Sequence, residues 1–287
     1  VQACDHEKID DTTGMKKQFL IKILKKVGLI RFLNFELAMH GITYPIIGNL
    51  VEDTPKPDLW MFDLLSILIP KKDGCFVDVG ANIGQTLIAV KRIKRDVTYI
   101  GFEPNPFCVY YLQKLILNNK FINTYIIPAA ISSNTGLMDL QLYSLRLTDS
   151  SASIIKDFRT GSVVNTVNVV SLSSDFIKID QKISILKIDV EGAEYLVLSE
   201  FLEKIIADRP FILIEVLPVY TPENYDRLNR QASLMKLIKR LNYKICRIRK
   251  GVKGDFIGIE NIEDFGIHSD LNKCDYLLTP SEEDLIF

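Results

Sequence analysis

From residue 75 onward, short apolar runs alternate with stretches whose apolar residues recur every three or four positions. The runs at 75–79, 97–102, 124–131, 183–190 and 211–216 are nearly continuous in Val, Ile, Leu and Phe. Strands of that composition are buried on both faces, as in a parallel sheet lying between helices. The stretches at 83–95, 106–118 and 193–206 have helical spacing. The alternation predicts a doubly wound α/β sheet joined by right-handed crossovers. It is interrupted once, where residues 136–143 and 163–172 read as strands without helices around the polar segment 148–161. This reads as a β excursion near the ligand cleft. After Pro222 a long helix is predicted to about residue 241, and residues 243–248 and 275–278 read as closing strands.

Residues 1–14 are polar and predicted to be mobile. Over 15–40 a helix is predicted, with Phe19, Leu20, Ile23, Leu24, Val27 and Ile30 on one side and Lys16, Lys17, Lys22, Lys25, Lys26 and Arg31 on the other. A cationic amphipathic helix can contact an anionic membrane surface. The expectation adopted is that it packs against its own domain. Residues 43–57 hold three prolines and read as a connection, and 59–69 as a second helix. The chain thus divides into an N-terminal helical extension, 1–70, and a main domain, 71–287.

Composition narrows the class. A hydrophobic share of 47% fills a sizeable core, and 35 basic against 36 acidic side chains leave no global field to recruit nucleic acid. Five scattered cysteines without a C-x-x-C pair indicate neither a zinc knuckle nor a disulfide framework. Their odd number suits a reducing compartment, so a cytoplasmic location is expected. The longest apolar stretch, 59–70, contains Asp63 and is too short to span a bilayer. Residues 1–7 lack the profile of a signal peptide. No metal constellation is visible by spacing, and an oxygen-only site stays open.

The chemistry-bearing motifs fall at strand ends. Phe76-Val77-Asp78-Val79-Gly80-Ala81-Asn82-Ile83-Gly84 is a strand, a tight glycine turn and a helix start. It resembles a dinucleotide fingerprint, but Asn82 stands where that fingerprint has its middle glycine, and its side chain obstructs the approach of a pyrophosphate. Asp78 would also set a negative charge beside a phosphate. An acid there suits a cationic, phosphate-free ligand such as the aminocarboxypropyl sulfonium of S-adenosylmethionine. Glu103, ending the second strand 19 residues after Gly84, can accept from both hydroxyls of a ribose. In Leu186-Lys187-Ile188-Asp189-Val190-Glu191-Gly192-Ala193-Glu194, the charges at 187, 189 and 191 share one strand face if the strand stays extended. Charges there suggest a polar cleft, although an internal ion pair would also account for Lys187. Glu194 suits its helix N-terminus, and Glu215 ends a further strand.

These segments, with Phe102-Glu103-Pro104-Asn105-Pro106, Pro128-Ala129-Ala130-Ile131-Ser132, Asp149-Ser150-Ser151-Ala152-Ser153 and Ile214-Glu215-Val216, resemble the FkbM family of methyltransferases over roughly residues 74–220. The resemblance implies a Rossmann-like class I methyltransferase fold: a seven-stranded, mainly parallel sheet whose last strand is antiparallel. It implies S-adenosylmethionine as cofactor and a hydroxyl acceptor on a sugar, polysaccharide or related small molecule. Carried over, Asp78, Gly80, Asn82 and Gly84 line the methionine end of the donor and Glu103 binds its ribose. The acid that many class I enzymes place after the third strand is absent, so Ala130 and Ser132 are left to hold the adenine. Two rival functions are a nicotinamide-dependent oxidoreductase, disfavoured by Asn82 and Asp78, and a non-catalytic donor-binding module. For catalysis, Asp189 is expected as base or acceptor-orienting group, with Glu191 second.

Overall fold

The computed structural model describes residues 33–283 except 49, 51–53, 157 and 160, together with Ile23, Lys26 and Leu29. The polar residues 1–14 and most of the basic helix expected over 15–40 lie outside the described residues. Where that helix was expected to end, the chain forms a strand instead. β1 (Asn34–Met39) pairs antiparallel with β2 (Ile42–Ile47), which lies in the segment read as a connection. The period-two placement of Phe35, Leu37 and Met39 is the cause. His40 and Gly41 between the strands, with φ of 50° and 76°, form the tight turn that two paired strands require.

Then follow α1 (Leu59–Leu68), β3 (Cys75–Val79), α2 (Gln85–Ile93), β4 (Tyr99–Phe102), α3 (Pro106–Asn119) and β5 (Thr124–Ile127). The strand expected over 124–131 breaks at Pro128, which cannot donate to a ladder. Ala130–Ile131 form β6, which belongs to a different sheet with β7 (Gly136–Leu142) and β8 (Asn165–Leu172). β9 (Ile183–Ile188) leads into α4 (Glu194–Glu200) and α5 (Leu202–Asp208), one expected helix divided at Phe201. β10 (Phe211–Glu215), α6 (Tyr225–Arg240), β11 (Tyr243–Lys250), β12 (Phe256–Ile262) and β13 (Asp275–Pro280) complete the chain.

The main sheet has the order β12-β11-β13-β10-β9-β3-β4-β5. β10, β9, β3, β4 and β5 run parallel, and β13 is antiparallel to both its neighbours. This is the Rossmann-like α/β fold expected, but with eight strands rather than seven. The additional one, β12, turns back on β11 through the loop around Gly254 and covers an otherwise open edge.

Both faces are sealed, as the continuous apolar strands require. Phe76, Tyr99, Ile185 and Leu213 face α1, α2 and α3. Val77, Leu186, Ile188 and Ile212 face α4, α5 and α6. Residues before position 70 are part of this packing: Tyr44, Trp60, Leu64 and Leu65 are buried in the first of these cores. The Asn119 side chain accepts from Thr43 N–H and donates to Thr43 C=O, both at 2.8 Å, tying β2 to the last turn of α3.

Candidate functional site

The C-terminal ends of β3, β4 and β9 open into a cleft of about 970 Å³, part of it continuous with solvent. Doubly wound sheets bind ligands at this end. The floor is formed by Gly80, Asn82, Glu103, Ala130 and Asp189. Asp58 and Met61 of the α1 start form one side, and Leu140, Asp149, Ser150, Ala152 and Ile154 of the β excursion form the facing wall.

The loop after β3 is held close against the end of β9. Gly80 has φ of 90°, and a Cβ built on it would lie 1.9 Å from the Asp189 carbonyl oxygen. No other residue fits that approach. Asn82, with φ of 45°, lies in the left-handed region that Asn tolerates. Its N–H donates to Glu103 Oε2 at 2.7 Å, while Asn105 N–H donates to Oε1 at 2.8 Å. Glu103 therefore ties the two loops of the cleft together while lining it. Burial raises its pKa to about 7, against the pull of these two hydrogen bonds.

Three residues expected at the donor do not reach the cleft wall. Asp78 lies beneath it, fully buried, where it takes a hydrogen bond from the Tyr99 hydroxyl and pairs with Lys187 Nζ at 3.3 Å. Gly84 packs against Leu112 and Leu115 of α3. Ser132 donates its N–H to Leu172 C=O at 3.0 Å, carrying the β6–β8 pairing one residue on.

Lys187 is the centre of a charge chain. Its ammonium also pairs with Asp189 at 3.1 Å, so it lies between two carboxylates. Burial would raise the Asp189 pKa, but the ammonium and a hydrogen bond with Glu215 outweigh it and hold the group below the usual carboxylate value. Burial and the neighbouring Asp189 charge push Glu215 strongly upward, so the proton of this pair stays on Glu215. Asp275, opposite Glu215 on β13, is raised by burial and pairs with Lys250.

The expected common face of residues 187, 189 and 191 stops at Asp189. Beyond β9 the chain turns through Glu191 and Gly192, with φ of 51° and 102°. Glu191 is thereby directed to the cleft's far wall, where Arg159 donates to its Oε1 at 2.6 Å. Its Oε2 is buried with no hydrogen-bond partner. Burial raises the Glu191 pKa to about 6, with Arg159 opposing the rise. Glu194 accepts from Gly192 N–H at 2.7 Å and serves this same turn.

Sequence reasoning did not identify Arg159, Tyr99, Asp58 or Met61. Each acts on residues distant along the chain, and local periodicity holds no sign of that. In the excursion, Asp149 and Ser150 line the cleft, whereas Ser151 donates to Asp149 and Ser153 donates to Glu191 C=O. His40 lies in the β1–β2 turn and His268 off the cleft wall. Among the described residues, no group of three or more His, Cys, Asp or Glu is placed to hold a metal, and no helix is long and apolar enough to cross a membrane.

A family model described as a methyltransferase FkbM domain matches residues 78–245. No curated protein matches the chain. Among solved structures, a methyltransferase FkbM from Methylobacillus flagellatus KT is 17% identical, with a TM-score of 0.46, over 72% of this chain and 43% of that one. A precorrin-6y C5,15-methyltransferase from Geobacter metallireducens GS-15 is 13% identical over 75% of this chain and 83% of that one, with a TM-score of 0.37. M. jannaschii TYW2 in complex with AdoMet is 12% identical over 86% of each chain, with a TM-score of 0.40. With more than half of its 287 residues matched by the family model, the chain belongs to the FkbM family of S-adenosylmethionine-dependent methyltransferases.

Proposed function

We propose that the chain transfers the methyl group of S-adenosylmethionine to a hydroxyl of a sugar, polysaccharide or related small molecule. The observation that carries this reading is Glu191, a carboxylate lining the cleft whose Oε1 is held by Arg159. The donor needs little activation: the acceptor oxygen attacks the sulfonium methyl carbon, the C–S bond breaks with its electrons going to sulfur, and the hydroxyl proton must leave. Glu191, near pH 6, is ionised at neutral pH and basic enough to take that proton. Asp189 is a poorer base, because Lys187 and the proton on Glu215 stabilise its charge. Its role in the reading is to accept a hydrogen bond from the acceptor and orient it.

The floor suits the donor. Glu103 and Gly80 line it, and Glu103 offers lone pairs to the ribose. Ser150 on the wall offers a hydrogen-bonding hydroxyl to the acceptor.

The test is turnover of methyl-labelled donor with a panel of simple sugars and polyols. Glu191→Gln is expected to lower methylation by about a hundredfold or more while donor affinity changes little. Asp189→Asn is expected to raise the acceptor KM more than it lowers kcat. Near-normal turnover by Glu191→Gln would remove it as the base, and methylation confined to amines would refute the hydroxyl acceptor.

A further inference from the structure

Three attachments join the excursion wall to the turn that carries Glu191. Ser153 Oγ donates to the Glu191 carbonyl at 2.7 Å, and Arg159 donates to its carboxylate at 2.6 Å. The Phe158 ring fills the space that a Cβ on Gly192 would occupy, with ring carbons from 2.4 Å. Phe158 is in turn held by a neighbouring helix. The Arg227 guanidinium of α6 lies 4.7 Å from its ring centre and donates to its carbonyl at 3.3 Å. Ser153, Phe158 and Arg159 are therefore fastened to backbone, side chain and neighbouring helix at once.

Of these attachments, only Arg159 acts on the reacting group itself. The Arg159 side chain is 34% exposed and the Glu191 side chain 11%, so the pair joins a half-exposed cation to a carboxylate lining the cleft. We propose that Arg159 is a positioning residue that keeps the Glu191 carboxylate aimed at the acceptor and in its ionised form. The proposal rests on Glu191 being the base. Two further charged groups act on Glu191: Asp189 on the same turn favours its protonation and Arg227 of α6 opposes it, while Glu194 at the start of α4 and Glu215 of β10 are carboxyl neighbours whose own pKa values its charge raises. Arg227 already donates to Pro218 and Phe158 carbonyls, so Arg159 is the cation bonded directly to the carboxylate.

The experiment follows the Glu191 carboxyl carbon by NMR in the full chain, assigned by its loss in Glu191→Gln, and needs no acceptor. In the native chain the carbon is expected to titrate near pH 6. In Arg159→Ala and Arg159→Gln the midpoint moves to higher pH, and Arg159→Lys restores most of it. With a sugar that the enzyme methylates, the acid limb of the rate profile moves the same way. A shift of one unit costs Arg159→Ala about tenfold at pH values below the limb and little above it. An unchanged Glu191 midpoint in folded Arg159→Gln, verified by thermal melting, overturns the proposal, as does an equal loss of rate at every pH. Full activity of Glu191→Gln would instead overturn the assignment of the base, so the two failures are distinguishable.

Discussion

Both oxygens of Glu103 accept from backbone N–H groups, and each retains a lone pair that can turn toward the cleft. Its burial near pH 7 makes donor binding pH-dependent, with a definite sign. Ribose hydroxyls donate to the ionised form, so affinity for S-adenosylhomocysteine is expected to tighten as pH rises through about 7. Glu103→Gln, which holds no charge at any pH, should flatten that dependence and weaken binding by about 1–3 kcal/mol. Calorimetry across this range checks both. Flat affinity in the native chain would mean that Glu103 serves only the two loops. Arg159 belongs at this scale for a different reason. Its 32-residue separation from Glu191 left nothing in the local pattern to identify it.

Among the elements, β3 and β9 are held in register by a contact that permits no side chain. Gly80→Ala is expected to destabilise the fold by about 3 kcal/mol or more, read by denaturant unfolding, because its Cβ would overlap the backbone of β9. A neutral result would show that the two loops yield freely. β3 was legible in the sequence to the residue, and α3 nearly so, for good physical reasons. A strand covered on both faces has no polar positions to blur its ends, and Asn105 with Pro106 marks a helix start through a side-chain cap and a fixed φ. β1 and β12 were not legible. Each alternates on a half-exposed surface, where six or seven residues carry a weak signal. The floor of the cleft was readable because turn chemistry is local. The groups around that floor were not fully readable, because partners such as Arg159 and Met61 are brought in by tertiary packing.

For the molecule as a whole, carboxyls buried at and beside the cleft set the sign of its pH dependence. Glu103 and Glu194 are raised to about 7 and Glu191 to about 6, all chiefly by burial. For such groups the unfolded chain loses protons first, so between about pH 4.5 and 7 it binds fewer protons than the native state. Their contribution to stability is complete below the lower limit and is lost as pH rises through the folded values. Asp149, lowered by its hydrogen bonds with Ser151, Tyr143 and Ser144 despite burial, has the opposite sign and loses its contribution in acid. The ligand-free chain should melt at a higher temperature at about pH 6 than at about pH 8. Glu194→Gln should narrow the difference, as scanning calorimetry would show. A melting temperature that rises across this interval would contradict these raised values.

The small sheet carrying the wall has one more property. Its entry at Ile131 and its exit at Leu172 are paired directly, side by side in the β6–β8 ladder. A loop whose two ends meet can change length and content with little strain on its host. The wall is in that sense an interchangeable jaw set into a fixed vice. Grafting residues 133–170 from another member of the family should transfer acceptor preference while donor affinity stays with the host, provided that the graft supplies its own counterparts of Ser153, Phe158 and Arg159.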